Sequence, residues 1–223
     1  MDDHRVTRRG SLIKLGGAGL AAVLGWKAVE EASGAGPAAV ASGAVSCVLS
    51  PEQTEGPYYL EGDKVRRNVT EGRPGVPLTL KLTVLDVSTC KPIKGAAVDI
   101  WHCDAVGAYA AVTNATFLRG IQRTDGKGAA TFKTIYPGWY QGRTVHIHVK
   151  VSLGGNVVHT GQLYFADSVT DKVYTRSPYS SRPGRSTRNP DDSIYRNGGS
   201  RSTLKLRKVG TGYTGSITMG VQR

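Results

Sequence analysis

The sequence predicts an all-β protein, an antiparallel β-sandwich with long irregular loops and little helix. Three observations favour this fold class: short alternating or β-branched stretches recur along the chain, glycine-containing turns separate them, and helical periodicity is almost absent. No internal repeat or second core-forming region is visible. We therefore expect a single domain over residues 42–223.

The elements follow in order from these patterns. Residues 76–87 alternate Leu and Val with Thr and Lys and predict a half-buried strand, and "AAVDIWHCD" predicts a second. The turn at residues 125–128 predicts a hairpin that returns in "AATFKTI", and another glycine turn separates "RTVHIHVKVSL" from "NVVHTGQLYF". "ADSVTDKVY" predicts a short helix capped by Asp167 or Ser168. Residues 175–201 predict an irregular segment, and two final strands close the domain.

The N-terminus has the features of an export signal. Arg8 and Arg9 precede a mild apolar stretch, and an A-x-A pattern follows at residues 39–41. These features predict a twin-arginine signal over residues 1–41 that is removed from a secreted protein; a flexible tail with a chance arginine pair is the alternative. The apolar stretch is too short and too rich in glycine to span a bilayer. A lipid tether on Cys47 is the weaker option, because "AVSC" fits a lipoprotein signal poorly.

Three cysteines remain after removal of this segment, Cys47, Cys90 and Cys103. Outside the cell a pair of them would be oxidised, and three different single bridges are possible. We favour Cys47–Cys90, which would tie the start of the mature chain to the core. Three buried thiols are the alternative.

The formal net charge is +12, yet the sequence argues against a nucleic-acid partner. The basic residues are scattered, and no Lys/Arg run is interleaved with aromatic residues as a single-strand groove requires. Attraction of anionic aromatic compounds or polymers is a softer expectation from the same charge.

The stretch "GRTVHIHVKV" places two histidines on one face of a strand. His146 and His148 are two residues apart, so both project to the same side while the intervening apolar residues face the core. Paired imidazoles can chelate Zn, Cu, Fe or Ni. Tyr109, Tyr136 and Tyr140 are near in sequence, and phenolate is a hard anionic donor that favours a strong Lewis acid such as Fe(III). Taken singly, each tyrosine is more simply an ordinary strand-edge aromatic.

Three stretches in a fixed order carry a family resemblance. "DIWHCDAVGAY", "TIYPGWYQGRTVHIHV" and "GQLYF" contain W-x(7)-Y, P-x-x-Y and R-x-x-H-x-H. Together they resemble the intradiol ring-cleavage dioxygenases of the catechol and protocatechuate type. The closest similarity is to a secreted branch that also carries "TEGPYYL". The resemblance is close over residues 47–165 and loose in the tail.

The resemblance implies a site, residue by residue. One Fe(III) per chain would be held by four ligands, Tyr109, Tyr140, His146 and His148. Tyr136 competes for one position, but the P-x-x-Y spacing favours Tyr140. Arg143 and Gln162, together with Tyr140 itself, would take part in catalysis. Aromatic candidates for the pocket wall are Tyr58, Tyr59 and Trp139.

The resemblance implies cleavage of a catechol-type diol with O2 to a cis,cis-muconate-type product. It implies no cofactor besides Fe(III), and it is compatible with a homodimer. Catechol, protocatechuate, hydroxyquinol and lignin-derived diols all remain open. "GQ" in place of the more usual "TQ", and Gln141 after the second tyrosine, put details of the pocket in doubt. The alternative is a secreted, non-catalytic module that binds metal or polysaccharide. An Fe(II) enzyme would require a carboxylate ligand, which the motifs do not offer.

Overall fold

The computed structural model describes residues 47–62 and 64–223, so the predicted export signal lies outside the described residues. Within them the chain forms eight strands and two α-helices, joined by loops and short 3-10 turns. The strands are β1 (Pro77–Asp86), β2 (Ala97–Trp101), β3 (Arg119–Arg123), β4 (Ala129–Ile135), β5 (His146–Leu153), β6 (Asn156–Tyr164), β7 (Lys205–Val209) and β8 (Gly212–Val221). The helices are α1 (Asp167–Tyr174) and α2 (Ser193–Arg196), and neither is long and apolar enough to cross a bilayer.

The strands form two four-stranded sheets, in the orders β4-β1-β8-β7 and β3-β2-β5-β6. This confirms the predicted sandwich with little helix. One pair differs from the antiparallel expectation: β1 and β8 run parallel, in register from Leu78 opposite Tyr213 to Asp86 opposite Val221. These strands come from opposite ends of the domain, so no tight hairpin turn forces them to be antiparallel.

The predicted hairpin around residues 125–128 is wrong. The turn itself forms, and the Asp125 carboxylate accepts hydrogen bonds from the backbone N–H groups of Lys127 (2.8 Å) and Ala129 (2.9 Å). However, β3 pairs with β2, whereas β4 pairs with β1 in the other sheet. The local sequence specifies a chain reversal, but the choice of sheet depends on which face each strand buries, and the turn carries no information about that.

The predicted cap of α1 is also wrong. Ala166 occupies the N-cap position and makes no side-chain cap bond. The Asp167 carboxylate instead pairs with Arg185 and accepts a hydrogen bond from the Asn189 backbone N–H at 3.1 Å. The following irregular segment is present as predicted and contains 3-10 turns and α2.

Strand β5 is buried on both faces, and the candidate site lies on the face that points away from the core between the sheets. Ile147, Val149 and Val151 belong to the core between the two sheets. His146 and His148 face the opposite side, where they are only 2% and 1% exposed. Part of this side is covered by residues 52–59 at the start of the domain, a stretch that we call the cover segment. The predicted Cys47–Cys90 disulfide is present just before it, and Cys103 is a buried free thiol.

Candidate active site

Four side chains converge on the covered face of β5. The Nε2 atom of His146 lies 3.1 Å from Nε2 of His148, 3.2 Å from the hydroxyl oxygen of Tyr140 and 3.4 Å from that of Tyr109. Ligands about 2 Å from a metal ion are separated from one another by about 3 Å. The four atoms are therefore spaced as donors to one cation would be.

The two histidines present unprotonated nitrogens to this centre. Nδ1 of His146 lies 2.7 Å from the Thr144 carbonyl oxygen, to which it donates, so its Nε2 carries a lone pair. The His148 ring stacks on the Trp101 indole, with ring centroids 4.9 Å apart and nearly parallel planes. Burial lowers the pKa of His146 to about 3 and holds that of His148 well below its usual value. Both imidazoles are consequently neutral, which is the form that binds metal.

Tyr109 is positioned by the loop that follows β2. The Asp104 carboxylate accepts hydrogen bonds from the N–H groups of Val106 (3.0 Å) and Ala108 (2.9 Å), and this closes the loop tightly. Gly107 adopts a positive φ of 87°, and a Cβ there would lie 2.3 Å from the Trp139 carbonyl oxygen. The loop therefore requires glycine, and it delivers Tyr109 buried at the start of a 3-10 turn.

Tyr140 comes from the loop between β4 and β5, which is fastened to the Tyr109 loop. The N–H of Gly138 donates to the Asp104 carbonyl at 2.9 Å, and a Cβ at Gly138 would lie 2.5 Å from the same oxygen. Arg182 bridges the two loops, donating to the carbonyl oxygens of Val106 (2.7 Å) and Trp139. The two tyrosines are therefore held together by backbone contacts.

Burial makes both phenols poor acids when no cation is present. It raises the pKa of Tyr140 to about 12, although the nearby Arg143 charge opposes this rise, and it raises that of Tyr109 well above its usual value. Tyr140 is the more exposed of the two. A cation bound between the hydroxyl oxygens would reverse the preference and favour two phenolates.

Arg143 and Gln162 form a polar group beside the four donors. One guanidinium nitrogen of Arg143 donates to Oε1 of Gln162, and its Nε donates to Asp192 at 2.8 Å. Gln162 is directly opposite His148 in the β5–β6 ladder, and its Nε2 donates to the Thr54 carbonyl at 3.0 Å. The predicted catalytic residues are thus adjacent to the predicted ligands, while their roles remain predictions.

Of the three predicted wall residues, Tyr58 contacts a donor directly, and Tyr59 contacts Trp101, the residue on which His148 stacks. Tyr58 stacks on Tyr109 with ring centroids 4.3 Å apart, and Tyr59 packs against Trp101 at 4.8 Å. Trp139 instead packs against the main core and under the Arg182 guanidinium, and its indole N–H donates to the Arg182 carbonyl.

The competing tyrosine and the two other histidines that the structure describes, His102 and His159, lie elsewhere. Tyr136 is fully buried in the main core, where its hydroxyl is 2.7 Å from that of Thr170. His102 lies 2.7 Å from the Thr134 hydroxyl, and His159 contacts the Glu52 carboxylate. Both histidines make structural contacts away from the four donors.

Sequence reasoning missed Asp192 and Gly56. Asp192 lies 49 residues after Arg143 in an irregular segment, and no local pattern connects the two. Gly56 has a φ of +74°, and a Cβ there would lie 3.1 Å from the His148 ring. The only available signal for Gly56 was its place in "TEGPYYL".

The donor set is two phenols and two imidazoles. Among the described residues, no group of three His, Cys, Asp or Glu side chains is arranged to hold a metal. The tyrosines are therefore essential to any cation site here. Two anionic oxygens and two neutral nitrogens suit a small, highly charged ion.

Comparison with known proteins agrees with this arrangement. A family model described as Dioxygenase (Dioxygenase_C) matches residues 54–181, a region that contains all four donors. An intradiol ring-cleavage dioxygenase structure from Tetranychus urticae is 36% identical, with a TM-score of 0.76, and the match covers 79% of this chain and 95% of that one.

Two further relatives are similar. The dioxygenase domain of a carbohydrate-binding fusion protein from Streptomyces sp. SirexAA-E is 34% identical, with a TM-score of 0.63, over 78% of this chain and 98% of that one. A catechol 1,2-dioxygenase 2 from Acinetobacter lwoffii is 30% identical over an alignment of 131 residues, and the match covers 48% of this chain. The match spans about half, 47%, of that relative's length.

Proposed function

Because the chain belongs to the intradiol ring-cleavage dioxygenase family, we propose that it cleaves a catechol-type diol between its two hydroxylated carbons, using O2. One observation carries the proposal: the hydroxyl oxygens of Tyr109 and Tyr140 and the Nε2 atom of His148 all lie within 3.4 Å of Nε2 of His146. A binding module would have no need to bury two phenols against two imidazoles, at the cost of removing all four polar groups from water.

The residues fit a ferric ion. Tyr109 and Tyr140 would each contribute one negative charge, and His146 and His148 would each contribute a neutral nitrogen. Ferric iron held there would supply a Lewis acid that binds the diol oxygens and draws electron density from the ring. Hard phenolate oxygens favour the ferric state over softer divalent ions.

The protein side chains would accept protons from the substrate and orient it. Tyr140 is more exposed than Tyr109, and burial keeps its proton affinity high, so its oxygen is suited to take a proton from the incoming diol. Tyr58, stacked on Tyr109, would exclude water from one side of the centre. Arg143 would place a positive charge beside the substrate ring. A preorganised donor in that position stabilises the negative charge that develops during the reaction.

The test is the visible absorption spectrum of the purified protein, before and after anaerobic addition of catechol. We expect a broad charge-transfer band from tyrosinate to Fe(III) that shifts to longer wavelength when catechol is added. Admission of O2 should then give a ring-opened dicarboxylate. A colourless protein that contains stoichiometric zinc or copper would overturn the proposal and favour a metal-binding module.

Ligand variants sharpen the test. We expect Tyr109→Phe and His148→Ala to weaken the band and to lose at least about 100-fold in turnover, because each removes one of the four donors while Tyr140 remains as a phenolate. Tyr136→Phe is the matched control, since it removes a buried hydroxyl that contacts Thr170 outside the site. If either ligand variant stayed coloured and active, the site assignment would be wrong.

We also propose that the protein is exported through the twin-arginine route. The Arg8-Arg9 pattern supports this, and so does the Cys47–Cys90 disulfide, which is typical of oxidising compartments. Replacement of both arginines with lysine should leave the protein inside the producing cell, and fractionation of the culture would measure this.

A further inference from the structure

Asp192 is a buried carboxylate that binds Arg143, the arginine to which we assign a catalytic role. It is 1% exposed, and one of its oxygens accepts hydrogen bonds from Nε of Arg143 and from the backbone N–H of Thr144, both at 2.8 Å. The other oxygen caps α2 by accepting from the N–H groups of Ile194 (2.8 Å) and Tyr195 (3.1 Å). A single side chain thus joins the arginine to residues 175–201, the irregular segment that contains α2 and that we call the C-terminal segment.

These bonds fix the guanidinium on two edges. Asp192 holds the Nε edge, and Oε1 of Gln162 holds one terminal nitrogen. Gln162 is itself anchored by the Thr54 carbonyl. Among the described residues the other terminal nitrogen of Arg143 has no hydrogen-bond partner, so it is available to a substrate. An arginine that is held in this way loses little conformational freedom when it binds a charged group.

The same carboxylate reaches the metal-binding strand through Thr144. The Thr144 N–H binds Asp192, the Thr144 carbonyl accepts from Nδ1 of His146 at 2.7 Å, and its hydroxyl donates to Asn189 at 2.6 Å. The backbone that carries Arg143 and His146 is therefore docked onto residues 189–195.

We propose that Asp192 is a positioning residue for ring cleavage, which acts by aiming Arg143 at the reacting ring, so that the C-terminal segment completes the active site. This inference rests on the proposed function. It assigns a chemical role to a segment that contributes none of the four predicted metal ligands.

The test is a double-mutant cycle between Asp192→Asn and Arg143→Ala. Alone, Asp192→Asn should lower kcat by about 10- to 100-fold, as loss of an orienting partner does, with the visible band and the metal content retained. In the Arg143→Ala background the same change should alter kcat by less than about twofold, because its effect acts through the missing guanidinium. Equal losses in both backgrounds would overturn the inference.

Asp167→Asn is the matched control. Asp167 also binds the C-terminal segment, through Arg185 and the Asn189 N–H, but it is not bonded to Arg143. We expect its kcat to match that of the unchanged protein. If Asp167→Asn slowed turnover as much as Asp192→Asn, docking of the segment would explain the effect and the aiming role would be refuted.

Two further measurements keep the result decisive. If Asp192→Asn does not fold, Asp192→Ser retains an oxygen that can cap α2 and removes the anion; an unchanged kcat in that variant would refute the role. In the metal-free protein, the ¹⁵N NMR signal of the Arg143 Nε–H should be protected from exchange and should lose this protection in either variant. If the Arg143 Nε–H stayed protected in Asp192→Asn or Asp192→Ser, the positioning role of Asp192 would be refuted.

The unchanged protein is assayed first in the same series. If it neither binds iron nor opens the ring of catechol, the proposed function fails and this inference fails with it. If it is active and Asp192→Asn is equally active, only the positioning role is lost.

Discussion

Tyr109 and Tyr140 illustrate how burial determines the chemistry of single residues in this site. Because burial raises the pKa of both phenols, each keeps its proton at neutral pH until a cation takes its place. The two histidines behave in the opposite sense, since burial lowers their pKa values and leaves them unprotonated. Without a cation the four donor side chains are therefore uncharged, and the two phenols become anionic only when a cation binds.

This leads to a prediction about pH. Binding of a trivalent cation should release one proton from each phenol, so affinity should rise with pH, by up to roughly tenfold per unit for each proton released. Protonation of His146 should not compete above about pH 4, because its pKa is lowered to about 3. Competition with a chelator between about pH 6 and 8, with proton release followed by an indicator dye, would measure both quantities.

Tyr109→Phe provides the control for that measurement. It should release one proton fewer and should show a correspondingly shallower dependence of affinity on pH. Affinity that did not change with pH in the unchanged protein would mean that the phenols are not ligands.

At this scale the sequence located the four convergent side chains better than it located their hydrogen-bond partners. The side-chain alternation of a strand places His146 and His148 on one face, and the motif spacing selects Tyr140 over Tyr136, which the structure buries in the main core. Asp192 was not predictable, because its bond to Arg143 joins residues that only the folded chain brings together. Trp139, which was predicted for the pocket wall, packs against the main core with the Arg182 guanidinium over its ring, and its place in the pocket stays a prediction.

At the level of structural elements, the cover segment is attached over the site by side-chain contacts to β5 and β6. It is fastened to the face of β5 and β6 by polar contacts: Glu52 with His159, Glu55 with Lys150, and the Thr54 carbonyl with Gln162. In addition, the Lys150 ammonium lies 3.3 Å above the Tyr59 ring. These contacts hold the backbone of the cover segment close to the His148 ring.

Gly56 lies against the His148 ring, and it gives a prediction at this scale. A Cβ at Gly56 would lie 3.1 Å from Cε1 of His148, so Gly56→Ala should displace the ring and weaken metal binding by about tenfold or more. Gly95→Ala is a matched control, since Gly95 has a similar φ of +79° and nothing within 4 Å of the added carbon. Both variants should lose about 1 kcal/mol of stability from the left-handed backbone.

Chelator-induced metal loss, followed by the decay of the visible band, would separate the two variants. Only Gly56→Ala should lose metal faster than the unchanged protein. Equal rates of loss in both variants would show that backbone strain, and not contact with His148, is responsible.

The strands themselves were predictable, and their partners were less so. Apolar alternation located β1, and the glycine turn between β5 and β6 correctly joined neighbouring strands. The turn before β4 looked equally good locally, yet it connects two different sheets. A turn specifies a reversal within a few residues, while sheet membership depends on packing across the whole domain.

In the whole molecule, the site is assembled from four distant stretches of chain. The cover segment, the loop after β2, the stretch from the β4–β5 loop through β6, and the C-terminal segment around Asp192 each contribute contacts. None of these pieces can form the centre alone, so a cation that binds there binds only the folded state. Bound metal should therefore raise the apparent stability of the whole domain.

The disulfide stabilises the same assembly from its beginning. Cys47–Cys90 closes a loop with a sequence separation of 43 and ties the chain to the sandwich five residues before the cover segment starts. Cross-linking a loop of this length reduces the entropy of the unfolded chain. Replacement of both cysteines with serine should lower the free energy of unfolding by about 2–4 kcal/mol.

Denaturant unfolding of the two proteins, with and without reductant, would measure this difference. Reductant should destabilise the unchanged protein and leave the double variant unaffected, which separates the bridge from any effect of serine at these positions. The folded double variant should also release metal faster to a chelator, because the start of the cover segment is then held only by noncovalent contacts such as that of Glu52 with His159. Unchanged metal loss together with reduced stability would mean that the bridge acts on the unfolded chain alone and that the cover segment holds its place without it.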